Sequence, residues 1–107
     1  MPIGAVVLDS DFEVRVWNDT AAETWGLRGD EVVGKSFFAL DIGLPVKELR
    51  NMVRAVSRGK PVTDEVIVDA VNRRGRAIKC RVTASILSAA RKDGGVVILI
   101  EEMKKSG

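Results

Sequence analysis

Histidine is absent from this chain of 107 residues, and the only cysteine is Cys80. Histidine is the commonest general base and a common ligand of metals and haem, so a histidine-based catalytic centre and a His-ligated haem are excluded. One cysteine forms no internal disulfide and is too few for a thiolate metal site, so we expect neither. A reducing, cytoplasmic setting is the natural expectation for such a chain.

Long hydrophobic runs are missing as well. The longest, Val96 to Ile100, has the length of a strand, whereas a helix needs about 20 apolar residues to span a bilayer. The N-terminus also lacks the order of basic, apolar and small residues that marks a signal peptide. We therefore expect no direct membrane insertion.

The chain also lacks a large excess of charge of either sign, since 17 basic and 15 acidic residues leave a net charge of +2. That excess is too small to indicate nucleic-acid binding, and no nucleic-acid motif with interleaved aromatic residues is present. What the chain does have is 46% hydrophobic residues, enough for one modest core. The length fits a single domain, residues 1–107.

The first strands are indicated by an apolar run from Ile3 to Asp9, which ends at a turn signal, Ser10-Asp11. Polar and apolar residues then alternate from Glu13 to Trp17. Two such runs separated by a short turn predict a β-hairpin.

Two short helices are predicted next. Residues 18–20 (Asn-Asp-Thr) offer capping oxygens, Ala21 to Trp25 supply an apolar face, and Gly26 ends the first helix. For the second helix, Asp30 is the expected cap and Gly34 the stop. Both helices are too short to be stable alone, so they must pack on a larger element.

A longer helix is predicted to begin after Leu44, with Pro45 at its first position, and to end at Gly59. Its apolar residues recur at helical spacing and indicate one buried stripe; they are Val46, Leu49, Met52, Val53 and Val56. The opposite side carries a basic ridge that we expect to face solvent, made of Lys47, Arg50, Arg54 and Arg58.

The last third of the chain changes to a period of two. Thr63 to Asn72 is β-branched, Arg73 to Arg76 can turn, and apolar residues alternate with polar ones from Ile78 to Ile86. Asp93-Gly94 marks another turn before Val96 to Ile100, whose uniform apolarity predicts burial on both faces. Short hairpin links imply antiparallel pairing, and the first and last strands are expected side by side in the middle of the sheet.

Several residues along this order are typical of one family. Asn18 follows the second strand, an alanine-rich helix ends at Gly26, and Glu31 is followed by Gly34. Together with the NRRGR hairpin and the final GGVVILIEE strand, they make the chain resemble the PAS fold over essentially its whole length. The resemblance implies an α+β fold, with a five-stranded antiparallel sheet of order 2-1-5-4-3 and short helices packed on one face.

The resemblance also implies a function. PAS domains are regulatory modules, so we expect this chain to sense a small ligand or dock a partner and to transmit to an attached output domain. A ligand-free scaffold for dimerisation or interaction, with a filled core, is the alternative. No enzymatic activity is expected, because the chain offers no nucleophile and base, no metal cluster and no glycine-rich phosphate loop.

A narrower likeness concerns residues 16–60. This segment looks like the PAS unit of bacterial chemotaxis-type methylesterase/methyltransferase fusion proteins, so the chain is expected to be a fragment of a larger signalling protein. Neither catalytic domain lies in these residues. One departure bears on output: many PAS domains end the last strand in Asp-x-Thr, whereas this chain has Glu101-Glu102-Met103 and lacks the hydroxyl.

PAS relatives hold flavin, haem or small metabolites between the helices and one sheet face, so the resemblance places a candidate pocket there. The lining residues expected on this basis are Trp25, Phe37, Phe38, Met52, Val53, Val56, Cys80 and Val82. The same side chains can instead fill the core, because buried aromatic and methionine residues usually pack on one another. A non-covalent flavin, a small metabolite and no cofactor at all remain open. Covalent flavin chemistry at Cys80 is not expected, since this residue lies in a strand and not in a helical Asn-Cys-Arg context.

Trp17 and Trp25 each carry an indole N–H that needs a partner when the ring is buried. We expect both to be core anchors, with a hydrogen bond to a ligand as the alternative. The outer face of the sheet is expected to carry Lys79, Arg81, Thr83 and Ser85. In PAS relatives this face and an N-terminal helix commonly form the dimer contact, so a homodimer is an expected assembly.

Overall fold

Five strands form one antiparallel sheet of order β2-β1-β5-β4-β3 in the computed structural model, which describes residues 2–59, 64–87 and 95–103. The strands are β1 (Ile3–Leu8), β2 (Val14–Trp17), β3 (Asp64–Val71), β4 (Ala77–Ile86) and β5 (Val96–Met103). The helices are α1 (Asp19–Trp25), α2 (Gly29–Val32) and α3 (Arg50–Ser57), with 3-10 turns at Phe37–Ala39 and Val46–Leu49. The predicted fold class and strand order are confirmed.

The centre of the sheet is the pairing of β1 with β5. Their antiparallel register runs from Ile3 opposite Glu101 to Leu8 opposite Val96. β5 also pairs with β4 along its whole length, from Val96 opposite Ile86 to Met103 opposite Lys79. The first and last strands are therefore neighbours, as predicted, and β5 has a partner on both sides.

One face of the sheet, the inner face, is covered by the helices. In β1, β4 and β5 alternate residues point to this face and are buried; in β5 they are Val96, Ile98 and Ile100. Helical residues such as Leu49 and Val53 belong to the same core. The period-two pattern of the sequence thus becomes one buried face.

The opposite, outer face is more exposed than the sequence predicted for β5. Val97 is only half-buried and Leu99 is 38% exposed, so the prediction of burial on both faces is wrong. An antiparallel sheet can leave one face open to water. The apolar run of β5 places apolar side chains on both faces of the sheet, although only the inner face is covered.

The long helix predicted from Pro45 to Gly59 is divided in two. Pro45 has ψ of 77°, which does not enter an α-helix, and its carbonyl accepts from the Glu48 N–H at 3.0 Å in a 3-10 turn. The α-helix itself begins at Arg50. The basic ridge (Lys47, Arg50, Arg54 and Arg58) is exposed, as expected.

The start of α2 also differs from the prediction. Arg28 occupies the N-cap position without a side-chain cap bond. Asp30 lies in the first turn, where its negative charge interacts favourably with the positive end of the helix dipole. The Arg28 Nε lies 3.4 Å from the Asp30 carboxylate and 3.3 Å from that of Glu31. Gly34, in the left-handed conformation at φ 90°, follows soon after the helix, as expected.

The hairpin between β3 and β4 turns where predicted. The Asn72 side-chain oxygen accepts from the N–H groups of Arg74 and Arg76, both at 3.0 Å, which closes the turn. The second turn predicted in this third of the chain, at Asp93-Gly94, lies outside the described residues.

The free side of β2 is covered by the segment that follows α2. The Val14 N–H donates to the Lys35 carbonyl and the Gly34 N–H donates to the Val14 carbonyl, both at 2.8 Å. A bridge between Glu13 and Ser36 continues this contact. Within the described ranges, no helix is long and apolar enough to cross a membrane.

Candidate functional site: the seam between α1 and the sheet

The start of α1 is pinned to β1 by Asn18. Its Oδ1 accepts from the Ala21 N–H at 3.0 Å, which caps the helix, and from the Ala5 N–H at 2.9 Å. Its Nδ2 donates to the Ile3 carbonyl at 2.9 Å. One side chain therefore fixes both the first turn of α1 and its position over the sheet. Of the three capping oxygens expected at residues 18–20, the structure uses that of Asn18.

The other end of α1 is held by the β3–β4 hairpin. The Arg73 N–H donates to the Thr24 carbonyl at 2.9 Å. Gly26 closes the helix in the left-handed conformation, at φ 80°, and a Cβ there would lie 3.1 Å from the Arg73 Cβ. α1 thus crosses the inner face from β1 to the opposite side of the sheet.

A cavity of about 250 Å³ lies at the seam between α1 and the sheet. α1 contributes Thr20, Thr24 and Trp25, and the strands contribute most of the rest of the wall. The full lining is Pro2, Gly4, Thr20, Thr24, Trp25, Cys80, Ile100 and Glu102. The strand end of β5 therefore forms one side of the cavity.

The two tryptophans differ in how their indole N–H groups are satisfied. Trp17 is 7% exposed, and its Nε1 donates to the Leu27 carbonyl at 2.8 Å. Trp25 is 6% exposed, lines the cavity, and its buried Nε1 has no acceptor among the described residues. Both are core anchors, as expected, but only Trp17 is fully satisfied.

Cys80 places a thiol in the wall of this cavity, and that thiol is not activated. Burial raises the pKa of the Cys80 thiol to about 11, and the nearby Glu102 carboxylate adds to the rise. The thiol therefore stays protonated near neutral pH. A protonated thiol acts neither as a nucleophile nor as a metal ligand. In residues 2–59, 64–87 and 95–103, no group of three or more metal-ligating side chains comes together.

The eight residues predicted to line a pocket fall into two groups. Trp25 and Cys80 line the cavity. The other six are all buried in the hydrophobic core away from it: Phe37, Phe38, Met52, Val53, Val56 and Val82. The Phe37 and Phe38 rings meet edge-to-face at 5.4 Å, and Phe12 packs on Phe38 at 5.6 Å. Beneath α3 the side chains fill the space.

Sequence reasoning missed Gly4, the threonines, Ile100 and Glu102 as lining residues. One signal was present: a glycine within a β-branched strand often marks close approach of another backbone. A Cβ at Gly4 would lie 3.7 Å from the Ala21 Cβ, so α1 does approach closely there. Nothing in the sequence pattern places Thr20, Thr24 and Glu102 at the same point.

The size of the cavity limits what it can hold. Pockets for drug-sized ligands measure about 300–1,000 Å³, and this cavity of about 250 Å³ is smaller.

The outer face carries an apolar band on its β2–β1–β5 side. Val16, Val7 and Val97 lie opposite one another across three strands, and Ala5 and Leu99 form the next row. The residues expected on this face are found there: Lys79, Arg81, Thr83 and Ser85.

Ion pairs within the chain occupy the β4–β3 side of the outer face. Arg81 lies 3.3 Å from the Glu65 carboxylate and 3.4 Å from that of Glu101, and Lys79 lies 3.0 Å from Asp69. Because these charges are largely neutralised within the chain, the face as a whole is not strongly of one sign.

Several solved structures share the fold. A dimer of Vibrio cholerae VqmA, determined in the absence of target DNA, is 16% identical, covers 96% of this chain and 47% of that chain, and has a TM-score of 0.82. The Cronobacter turicensis RpfR quorum-sensing receptor PAS domain in complex with BDSF is 18% identical, with 97% and 96% covered and a TM-score of 0.71. The Rhodobacter sphaeroides LOV protein is 15% identical, with 98% and 61% covered and a TM-score of 0.72. The present chain spans about half the length of the VqmA chain.

The family is shown by a sequence match and not by these distant structures, which share the fold alone. No curated protein matches the chain. The model of the family described as the PAS fold, however, matches residues 1–105. With the observed strand order, this match shows that the chain belongs to the PAS fold family.

Proposed function

We propose that the chain is a non-catalytic PAS regulatory module that senses a small ligand or docks a partner and transmits through β5 to an attached output domain. The observation that carries this proposal is the position of β5. Ile98 lies in the core, Glu102 lines the cavity, and Leu99 belongs to the apolar band of the outer face. A change at any of these places acts on the strand whose described part ends at Met103.

Two of the structures with the same fold support this proposal in their own proteins. VqmA forms a dimer, and the RpfR PAS domain is in complex with BDSF. Dimerisation and small-molecule binding are therefore both compatible with this architecture. Which of them applies to the present chain depends on its own surfaces.

A second copy of the chain is the proposed occupant of the outer face. The apolar band defined above is flanked by ion pairs closed within the chain, so two identical faces would meet without strong charge repulsion. Burying the band would remove from water Leu99, at 38% exposed, and Val16, at 47% exposed. Such apolar area is the usual source of binding free energy between copies of one chain.

Sedimentation velocity tests the dimer with a matched pair of variants. Leu99→Lys places a charge in the apolar band, and Ile67→Lys places one at an apolar residue of β3 that is more exposed, at 50%, and lies outside the band. We expect the wild type and Ile67→Lys to be dimers and Leu99→Lys to be a monomer with an unchanged circular dichroism spectrum. A monomeric wild type, or a dimer that survives Leu99→Lys, would contradict the proposed contact.

The alternative of a ligand-free scaffold is favoured by one observation, the filled region beneath α3. Native mass spectrometry and the absorption spectrum of freshly purified protein distinguish the two functions. A species heavier than the sequence, or a coloured one, supports the sensor. The bare sequence mass with no absorption beyond that of tryptophan supports the scaffold.

The parent protein remains part of the proposal. We propose that residues 1–107 are one PAS domain within a larger cytoplasmic bacterial signalling protein, of the chemotaxis-type methylesterase/methyltransferase kind that residues 16–60 resemble. Glu101-Glu102-Met103 replaces the usual Asp-x-Thr at the end of β5, so output here would rely on carboxylates in place of a hydroxyl. Sequencing the surrounding gene tests the parent directly, and a parent without signalling domains would contradict it.

A further inference from the structure

β3 forms the border of the sheet opposite to β2 and pairs with β4 on one side. Two backbone bonds show how its residues are directed. The Asn72 N–H donates to the Arg76 carbonyl at 3.0 Å and so faces β4, whereas the next N–H along the chain faces the other way. That N–H belongs to Val71 and donates to the Gly43 carbonyl at 3.0 Å. In an antiparallel ladder these two directions alternate from residue to residue.

The alternation leaves three residues of β3 with their backbone groups directed away from β4. The register between β3 and β4 runs without a shift, so the alternation continues along the strand. We call these residues the free edge; they are Glu65, Ile67 and Asp69. Within the described part of the chain, the one residue that bonds this border is Gly43, and it reaches only Val71. The N–H and carbonyl groups of the free edge are therefore open.

The two borders of the sheet thus differ. At β2, the Val14 N–H and carbonyl are both bonded to the segment after α2. At β3, the free edge presents alternate donors and acceptors that no described residue uses. Open groups of this kind are a template for an added strand. Extended peptides bind such templates through their main chain and gain specificity from alternate side chains.

The side chains beside the free edge define which strand fits it. Ile67 is 50% exposed and lies between Glu65 and Asp69 on the outer face. The cations that pair with these carboxylates, Arg81 at 3.3 Å and Lys79 at 3.0 Å, belong to β4. An added strand would lie about 5 Å from β3 and about 10 Å from β4, so it meets the carboxylates before the cations.

We propose that the free edge of β3 is a docking site for an extended peptide segment of a partner protein, which adds as an antiparallel strand with an apolar residue opposite Ile67 and a lysine or arginine opposite Glu65 and Asp69. The proposal rests on the docking role proposed above and gives it a place and a partner class. A second copy of β3 fits this edge less well, because it would bring further carboxylates to the same positions.

Hydrogen exchange of ¹⁵N-labelled protein, with and without the capped peptide Lys-Thr-Val-Thr-Lys, tests the site. We expect a Kd on the order of 1 mM, since ordering a flexible peptide offsets much of the gain from its hydrogen bonds. At saturating peptide the amides of the free edge should exchange about fivefold or more slowly. The amides that already face β4 should not change; they are Val66, Val68 and Ala70. The effect therefore has a period of two residues.

Two methylated peptides are matched controls that leave the protein unaltered. N-methylation of the central valine removes the N–H that donates to the Ile67 carbonyl, and we expect affinity to fall about tenfold or more. N-methylation of the second threonine removes an N–H that faces away from β3, so affinity should stay within about threefold.

The charge preference is tested with Glu-Thr-Val-Thr-Glu, which has the same length and apolar centre. We expect it to bind about threefold or more weakly than the lysine peptide. In the double variant Glu65→Gln, Asp69→Asn this difference should disappear, because both carboxylates are gone.

A free edge whose amides are as protected as those facing β4 without peptide would overturn the site. So would protection that appears with protein concentration alone, since a second copy would then be the occupant. Exchange without a period of two, or equal binding of the two methylated peptides, would also contradict it. These outcomes are independent of the outer-face dimer: if the peptide fails while Leu99→Lys still breaks a dimer, only the free-edge site is lost.

Discussion

The inner face of this PAS sheet has two regions that are built differently. Beneath α3 and the 3-10 turns, large side chains fill the space, with Phe37, Leu44 and Leu49 all essentially inaccessible to solvent. Beneath α1, small residues such as Gly4 and Ala21 let the helix approach closely, and a cavity remains beside them. The first region is held by packing and the second by hydrogen bonds at the two ends of α1.

Because of this difference, the two regions of one small domain are stabilised by different interactions. Dispersion and burial in the filled region depend on close contact of every side chain, so any new ligand there would have to displace a side chain. The hydrogen bonds that position α1 lie at its ends, and the cavity lies along the seam beside them. The predictions below test the contrast, beginning with the largest effect.

Truncation in the filled region should cost most. Phe37→Ala removes a fully buried ring, and we expect the free energy of unfolding to fall by about 3–5 kcal/mol. Thr24→Ala, in the wall of the cavity, should cost less than about 1 kcal/mol, because it leaves less new empty space. Urea denaturation followed by fluorescence measures both, and equal losses would show that the two regions are not different in packing.

Loss of the pin at the start of α1 should rank second. Asn18→Ala removes the helix cap and leaves the Ala5 N–H and the Ile3 carbonyl without this partner, so we expect a loss of about 2–3 kcal/mol. Asn18→Asp keeps the acceptor and should lose less. Asp19→Ala, exposed in the first turn, is the control at about 0.5 kcal/mol. If Asn18→Ala were no worse than this control, hydrogen bonding would not be what holds α1.

The other end of α1 can be tested with two glycines. Gly26→Ala imposes a left-handed alanine and a close contact with Arg73, and we expect a loss of about 2 kcal/mol. Gly34→Ala imposes the same backbone strain at φ 90° but meets no atom within 4 Å, so it should lose only about 1 kcal/mol. Thermal melts of both variants give the difference, which should vanish if the contact between α1 and the hairpin is unimportant.

The smallest effect concerns the buried thiol of the cavity wall. Because the pKa of Cys80 is raised from 9.0 to about 11, its contribution to stability is complete below pH 9 and is lost as the pH rises towards 11. At pH 10 the loss should be about 1 kcal/mol relative to Cys80→Ala, which lacks the titrating group. Denaturant curves of both proteins at several alkaline pH values measure it; parallel pH profiles would mean that the thiol is not buried from solvent.

Periodicity and apolar runs in the sequence were sufficient to predict the strands, and the resemblance to the PAS fold supplied their full order. The alternation from Ile78 to Ile86 and the apolar runs at Ile3 and Val96 identify strands because side chains repeat every two residues. The same apolarity could not tell whether the outer face of β5 is covered, since Val97 and Leu99 are as hydrophobic as their buried neighbours. Coverage depends on which side the helices take, and that is a property of the whole chain.

The site was harder to predict than the fold. Six of the eight candidate residues do not line the cavity and instead pack on one another in the core. Apolar residues of this kind are predicted as pocket residues and as core residues by the same sequence pattern. Several residues that line the cavity are instead small or polar, such as Gly4, Thr24 and Glu102, and they come from distant parts of the chain. Their meeting depends on how α1 crosses the sheet, which the end contacts of Asn18 and Arg73 determine.

The covered side of β2 has a consequence for how copies of this domain can associate. Residues 34–36 already occupy its hydrogen-bonding groups, so an added strand from another molecule finds no template there. At the opposite border, the Val71 N–H at the end of β3 donates to the Gly43 carbonyl at 3.0 Å, so this end of the strand is covered as well. Lateral growth of the sheet is therefore disfavoured most clearly at the β2 border.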